Sequence, residues 1–440
     1  MSASTKVIQA AAGAGGLQYW IALLGGGSTD YHQSVAIDSA ENIVLCGRTS
    51  SDGAGSNDVL ITKYDSLGTL QWSRTLGGSG ADNGLGVAID SSDNIIISGT
   101  TVSDGEGSQD LLVAKYNSSG VLQWDRTLGG SGIDTGESVA IDSSDNIIVS
   151  GRTTSDGAGS NDLLIVKYNS SGVLQWDKTL GGSGSENGLG VAVDSSDNII
   201  VVGIVTSDGA GLNDALIAKY NSSGTLLWDR TLGGSSDETF ASVAVDSFDN
   251  IVAVGDVKSD GAGGFDVLIA KYNSSGALQW DRSLGGISAE QGRAVAIDSS
   301  DNIVLGAYTS SDGEGSADAL IAKYNSSGVL QWSRILGGSG VEQTFSVAID
   351  SSDNIIAAGA TASDGAGSSD GYVAKLPPDG SGTGTYGNLV YQEAVLTDAE
   401  AVLTDSPAVL TDAAAVLTDA AAVLTDAAAV LTEEFFEVTP

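Results

Sequence analysis

Residues 85–130 read LGVAIDSSDNIIISGTTVSDGEGSQDLLVAKYNSSGVLQWDRTLGG. Apolar stretches alternate here with clusters of Gly, Asn, Asp and Ser, which supply turn geometry. GVAID, NIIISGTTV, DLLVAKY and VLQWDRTLG therefore predict strands A, B, C and D, joined by DSSDN, SDGEGSQD and NSSG, with GGSG leading to the next unit. The tryptophan of strand D recurs at Trp20, Trp72, Trp124, Trp176, Trp228, Trp280 and Trp332, at a constant interval of 52 residues. A period near 50 with four strands per unit is that of propeller blades. The reading is all-β: a seven-bladed β-propeller of seven 52-residue, four-stranded units.

The ends of the repeat suggest how it closes. A D-type segment, LQYWIALLG at 17–25, precedes the first A segment, and the last repeat stops after the C segment GYVAK at Lys375. The N-terminal strand should complete the last blade, contributed by the same chain or by a neighbour's. The chain divides into a leader at 1–16, the propeller at 17–376, a Gly/Pro-rich bridge at 377–393 and a heptad tail at 394–440.

Composition sets limits. The chain carries 61 Gly and 4 Pro in 440 residues with 41% apolar residues, the balance of a turn-rich globular protein and not of a disordered one. The formal charge of −38 disfavours nucleic acid and anionic lipid and favours cations or basic partners. Screening in saline surroundings would ease the self-repulsion. Cys46 is the single cysteine, so no intrachain disulfide exists. The first 16 residues contain one lysine and no apolar run of signal-peptide type, and no stretch approaches the roughly 20 apolar residues of a membrane helix. A Sec-secreted or membrane-inserted chain is not expected; a virion or extracellular surface is the expected location.

Column by column, the repeat separates frame from candidate site. The small column Ala36, Ala88, Ala140, Ala192, Ala244, Ala296 and Ala348 suits the crowded inner strand. Lys63, Lys115, Lys167, Lys219, Lys271, Lys323 and Lys375 on strand C, with Arg74, Arg126, Lys178, Arg230, Arg282 and Arg334 on strand D, predict cross-strand pairing with acids and packing beside tryptophan. The NSS sequences at Asn117, Asn169, Asn221, Asn273 and Asn325 are good turn chemistry whether or not they carry glycan.

The B-to-C loop S-D-G-x-G-x-x-D brings two carboxylates per unit: Asp52 and Asp58, Asp104 and Asp110, Asp156 and Asp162, Asp208 and Asp214, Asp260 and Asp266, Asp312 and Asp318, Asp364 and Asp370. They read either as caps of turn amides or as hard oxygen ligands for calcium, the one cofactor contemplated. A further acid stands before each A strand, at Asp30, Asp82, Asp134, Glu186, Glu238, Glu290 and Glu342. In a propeller both loops emerge on one face, so an acidic face is expected, a solvated rim or a selector of cations and basic patches. Departures from the repeat, Phe240, Phe248, Asp256, Lys258 and Phe265 in one unit and Arg293 and Tyr308 in the next, are candidates for a unique partner patch. With His32 and Cys46 the only residues of their kinds, a nucleophilic triad has little support.

The recurring W-x-R-T-L-G-G-S-G … V-A-I-D-S-S-D-N-I … S-D-G-A-G-S-N-D-x-L-I-x-K-Y resembles the bacterial seven-bladed β-propeller repeat family abbreviated SBBP, over residues 17–376. That resemblance implies a bacterial surface or secreted setting and no common catalytic residues. Asp93 and its equivalents stand where the family usually has Gly, which Asp can replace because it tolerates the left-handed conformation. KVIQAAAGAGG at 6–16, DGSGTGTYGNLVYQ at 379–392 and the LTDA heptads are similar to stretches of structural proteins of marine bacteriophages.

AVLT recurs at Ala394, Ala401, Ala408, Ala415, Ala422 and Ala429, a period of seven. On a helix, Val395, Leu396 and Ala399 share one face, and Ser406-Pro407 reads as an N-cap and first helical residue. Threonine and aspartate oppose a helix. An oligomerising or docking helix, a disordered low-complexity stretch and a strand-type repeat all stay open. The functional expectation is a non-enzymatic virion or surface appendage protein that displays an acidic propeller face to a glycan or protein, its tail anchoring or oligomerising it. A calcium-dependent lectin-like module and a glycoside-cleaving enzyme using two carboxylates are the alternatives.

Overall fold

In the computed structural model the described residues are 6–8, 19–209, 211–261, 263–365, 367–422, 424–429 and 431–438, the first and last of these segments as backbone only. They contain strands and turns and no helix. Two compact units divide the chain. One comprises Met1–Gly84, Gly286–Leu396 and Thr425–Pro440, the other Leu85–Gly285 and Thr397–Leu424.

The second unit holds four blades, whose strands A to D run Asp82–Ile89, Ile95–Thr101, Asp110–Tyr116 and Leu122–Gly129 in the first of them, with the next three in the same order. The first unit holds three. One is built from Asp30–Ile37, Ile43–Thr49, Asp58–Tyr64 and Leu70–Gly77, another from Glu290–Ile297, Ile303–Thr309, Asp318–Tyr324 and Leu330–Gly337. In the third, Glu342–Ile349, Ile355–Thr361 and Asp370–Leu376 are completed by the N-terminal strand Tyr19–Gly25, which pairs antiparallel with strand C from Trp20 opposite Lys375 to Leu24 opposite Gly371. With seven blades, the fold is an all-β propeller, and the N-terminal strand completes the last blade as its sequence suggests, here from the same chain, a choice the sequence left open.

Strand C is buried from end to end, and strand B is too except for one half-buried residue in four blades; their runs of Ile, Val, Leu and Ala carry no regular outward polar alternation because both sheet faces meet neighbours. Cores form between successive blades: Ile96, Leu111 and Val113 of one pack with Val139, Val149 and Tyr168 of the next, and Trp124 lies against them. The C-to-D turn adds to this junction. Gly172, at φ +74°, sits on the indole of Trp124, so that a Cβ there would lie 2.8 Å from the ring. Arg126 stacks over the same indole at 5.8 Å and its Nε donates to the Gly172 carbonyl at 3.0 Å.

The lysine column is paired as expected. Lys115 Nζ lies 2.7 Å from Asp90, the residue that ends strand A, and Lys167, Lys219 and Lys323 repeat the pair at 2.8 to 2.9 Å with both partners largely buried. In the A-to-B turn Asp93, Asp145, Asp197, Asp249, Asp301 and Asp353 adopt φ between 58° and 62°, as the left-handed reading requires. The structure adds why Asp stands there and not Gly. The carboxylate of Asp145 accepts from the amide and hydroxyl of Ser91 in the preceding blade at 2.9 and 2.7 Å, and Asp197 does the same for Ser143.

The heptad tail follows the bridge. Its described residues form short strands, Thr397–Ala399, Thr404–Ser406, Thr411–Ala414, Thr418–Ala420 and Thr425–Ala428, each added outside a D strand. Thr, Val and Asp are poor in helices, and an isolated helix would have nothing to bury against. A D strand, by contrast, offers a row of open amides and carbonyls.

Candidate peptide-docking site on the blade rims

The site begins in the B-to-C loop. Gly53, Gly105, Gly157 and Gly209 have φ near +110°, which folds the loop back on its own second aspartate. That aspartate is buried and holds the loop: the Gly107 amide donates to Asp110 Oδ2 at 3.1 Å, and the Gly55, Gly159, Gly211 and Gly367 amides make the equivalent bond to Asp58, Asp162, Asp214 and Asp370 at 3.0 to 3.2 Å. The first aspartate points outward, and the tail meets it there. Val395, Val402, Val409 and Val416 donate their amides to Asp312, Asp260, Asp208 and Asp156 at 2.6 to 2.8 Å. One frame earlier the Asn388 amide donates to Asp364 at 2.9 Å, so the pattern starts inside the bridge.

Each frame then repeats the same contacts. The leucine after the valine lies over the glycine that follows a D strand: Leu396, Leu403, Leu410 and Leu417 come within 3.5 to 3.7 Å of where a Cβ would stand on Gly286, Gly234, Gly182 and Gly130. The Thr-Asp pair comes next. Thr411 pairs with Gly181 and Asp412 with Leu180, and Thr404, Thr418 and Thr425 meet Gly233, Gly129 and Gly77 in the same register. Seven residues along the tail therefore correspond to 52 along the propeller, in the reverse direction. The heptad's alanine is turned inward, with Ala401 buried and Ala408 and Ala415 packed on the blade cores. Its valine side chain is turned outward, 82 to 83% exposed in four frames.

The heptad aspartate faces the tyrosine of the next C strand. Tyr168 donates its hydroxyl to Asp419 Oδ1 at 3.0 Å. Burial, followed by the charge of Asp419, raises this phenol well above its ordinary pKa, and burial likewise raises the carboxyls of Asp405, Asp412 and Asp419. Lys178 lies 3.7 Å from Asp412 in one frame. Two hollows under tail strands, about 230 Å³ beside Asp260, Asp266 and Thr397 and about 120 Å³ beside Asp104, Asp110 and Thr418, are smaller than the roughly 300–1,000 Å³ of small-molecule sites.

The acids before strand A are buried, which overturns the expected exposed acidic rim. Asp30, Asp82, Asp134, Glu186, Glu238, Glu290 and Glu342 are all 0% exposed. Each receives a glycine amide from the end of the preceding D strand, for example Gly130 to Asp134 at 2.8 Å and Gly338 to Glu342 at 2.7 Å. Serine and threonine hydroxyls complete the set, as with Ser155 on Asp134 and Thr361 on Glu342. Asp318 is pushed up to about 7, first by burial and then by the charges of Glu342, Asp312 and Glu314. Among the described residues no group of three or more His, Cys, Asp or Glu side chains is placed to hold a metal ion.

The residues expected to form a partner patch are placed as follows within their own units. Phe240 belongs to a core, filling a position held by glycine in several other A strands. Phe248 is 75% exposed on an A-to-B turn, whereas Lys258 stacks on Phe265 at 5.1 Å and pairs with Asp237 at 3.6 Å. Asp256 is buried on strand B. In the other unit Arg293 stacks on Tyr308 at 5.6 Å, and both bond Gln291. The Asn-Ser-Ser-Gly turns are as read, with Asn117 Oδ1 accepting from the Ser119 and Val121 amides at 3.0 Å. His32 is buried and its pKa falls to about 4, through desolvation against the opposing bond to the Tyr372 carbonyl and the charge of Asp30. Burial raises the Cys46 thiol.

The docking frames themselves were missed in the sequence. The available signal was a near-match of counts: a seven-residue repeat recurring six times beside seven blades, each blade offering the same Asp and Gly.

Among known proteins, residues 143–174 match the model of a domain of unknown function, the DUF5122 β-propeller, a span that runs from one A-to-B turn to the start of the next D strand. An uncharacterized WD repeat-containing protein of Acanthamoeba polyphaga mimivirus is 22% identical across 71% of this chain and 32% of its own length. The regulatory protein FlaEY of Caulobacter vibrioides is 25% identical across 70% of this chain and 39% of its own. The chain thus spans 32% and 39% of the length of these two relatives. Among solved structures, the polysaccharide lyase Uly1 aligns with a TM-score of 0.47 at 8% identity, covering 83% of this chain and 99% of that one. YCF48 bound to a peptide aligns with a TM-score of 0.43 at 10% identity, covering 85% and 97%. What the domain match, the WD repeat-containing relative and the seven sheets establish together is a β-propeller built from repeated blades.

Proposed function

We propose that this protein is a non-enzymatic structural and binding propeller of a virion or surface appendage, presenting its blade loops to a glycan or protein partner. One observation carries the reading: the repeated charges are engaged in the frame, strand-C lysines with the aspartates that end strand A, buried acids with glycine amides, loop aspartates with tail amides. Groups so engaged are poorly suited to proton transfer, which needs a carboxyl that is free to exchange with substrate. The resemblance of the leader, bridge and heptads to structural proteins of marine bacteriophages supports a particle-borne setting, and the charge of −38 suits saline surroundings.

The test is a binding and turnover screen of the full-length chain on surface polysaccharides and proteins, with melting followed in calcium. Saturable binding without product, and a melting temperature unchanged by millimolar calcium, is the expected outcome. Turnover abolished by a single Asp or Glu substitution would replace this reading with the glycoside-cleaving one, and a calcium-dependent rise in melting temperature would replace it with the lectin-like one.

A further inference from the structure

We infer that the blade rim is a binding site for extended A-V-L-T-D heptads, and that it takes this segment from a second copy of the chain as well as from its own. The inference does not depend on the role proposed above. It rests on the sameness of the frames. On successive blades the valine amide reaches a loop aspartate, the leucine lies over a glycine and the Thr-Asp pair zips onto Gly-Leu of strand D. Apart from the Lys178–Asp412 pair at 3.7 Å, the contacts named here recur from frame to frame and do not address a heptad to one particular blade. None distinguishes a heptad of this chain from the same heptad of another copy.

Only the ends of the tail are individual. The hairpin Gly384–Tyr386 and Leu389–Glu393 caps one blade with Tyr386 and Tyr391 buried, and Thr432–Val438 lies between Tyr19–Gly25 and Lys6–Ile8. Between these anchors the heptads hold by a few backbone bonds and one partly buried leucine each, which makes any single frame weak and the set strong through linkage. Weak frames open locally far more often than the whole tail departs. An opened rim presents strand edge, carboxylate and glycine notch together, the elements that β-strand addition uses for affinity and specificity. The cis tail has the advantage of a high effective concentration, so exchange belongs to crowded settings in which copies sit side by side.

The test uses the full chain with Val402→Pro, Val409→Pro and Val416→Pro, which removes three amide donors at exposed positions and leaves the rims intact. A fluorescent peptide of residues 401–422 should bind this variant saturably, and the same peptide with the three prolines should bind about tenfold or more weakly. At high concentration the variant and the wild-type chain should also sediment together as a pair. Equal binding of the two peptides to a variant whose circular dichroism shows an intact propeller would overturn the rim as a heptad site. Peptide binding without any pairing of full-length chains would overturn the second copy as its occupant. If the proline variant fails to fold, Leu403→Asp, Leu410→Asp and Leu417→Asp weaken the same three frames, and the same comparison applies.

Discussion

Two residue columns show how a near-identical repeat places opposing demands on single side chains. Glycine in the C-to-D turn is required twice over at Gly172, by its φ of +74° and by the indole of Trp124 against it. Gly172→Ala should destabilise by about 1–3 kcal/mol in urea titration, the left-handed backbone alone accounting for roughly 1–2 of this. The neighbouring Ser171→Ala, at an exposed site, should stay within about 0.5 kcal/mol. The carboxyls split into two groups of opposite pH behaviour. For Asp90 and Asp142, burial acts to raise the pKa, but bonds from Lys115 or Lys167 and from asparagine outweigh it and hold them below the ordinary value. Their contribution is present above an unfolded pKa of about 3.9 and is lost as pH falls through the lower folded value. Asp318, raised to about 7, contributes fully below about pH 4 and loses that contribution as pH rises through 7. Asp58 and Asp110, raised chiefly by burial, have the same sign. These raised carboxyls favour the acid side of neutrality, whereas His32, lowered to about 4 by burial, has the opposite sign: its contribution is full above about pH 6.5 and is lost as pH falls towards 4. Asp318→Asn should shrink the gain in melting temperature between pH 8 and pH 5; an unaltered gain would show that this carboxyl carries no linked proton.

At the scale of the element, the tail is informative because each strand is too short to stand alone. Three or four paired residues gain only a few bonds of roughly 0.5–1.5 kcal/mol each, against the cost of ordering seven residues. The leucine over the glycine notch adds to this, although a partly buried side chain gains less than the roughly 1.5–3 kcal/mol of full burial, so the frames hold as a linked set. Leu410→Asp should release its own frame and spare the blade beneath. In hydrogen exchange, amides of Thr411–Ala414 should lose protection while those of Ile147–Thr153 and Asp162–Tyr168 retain it. Loss of protection throughout the blade would mean that the tail strand is integral to the sheet and not an addition to it.

For the whole molecule, the tail changes the expected meaning of a truncation. A helical tail would make the full chain an oligomer and the shortened chain a monomer. With tail strands covering D-strand edges, the order reverses: loss of residues 394–440 uncovers those edges and should cause concentration-dependent association, while the full chain stays monomeric in dilute solution. Light scattering of the two forms decides between these outcomes.

The amino-acid sequence by itself determined the blade: a 52-residue period, four strands, turns of Gly, Asn, Asp and Ser, lysines paired with acids and an N-terminal strand completing the last sheet. These features are legible because they depend on local periodicity and on residue types whose backbone preferences are strong, as Asp93 and its equivalents show. Only the tertiary structure decided the fate of the other carboxyls and of the tail. Asp134 reads as an exposed acid until the Gly130 amide and the Ser155 hydroxyl enclose it, and Asp208, which reads as a turn cap or a cation ligand, accepts the Val409 amide from 201 residues away. Val-Leu-Thr-Asp has no period of its own that selects helix or strand. Its conformation is imposed by the open edge it meets, and the position of that edge is a property of the folded propeller.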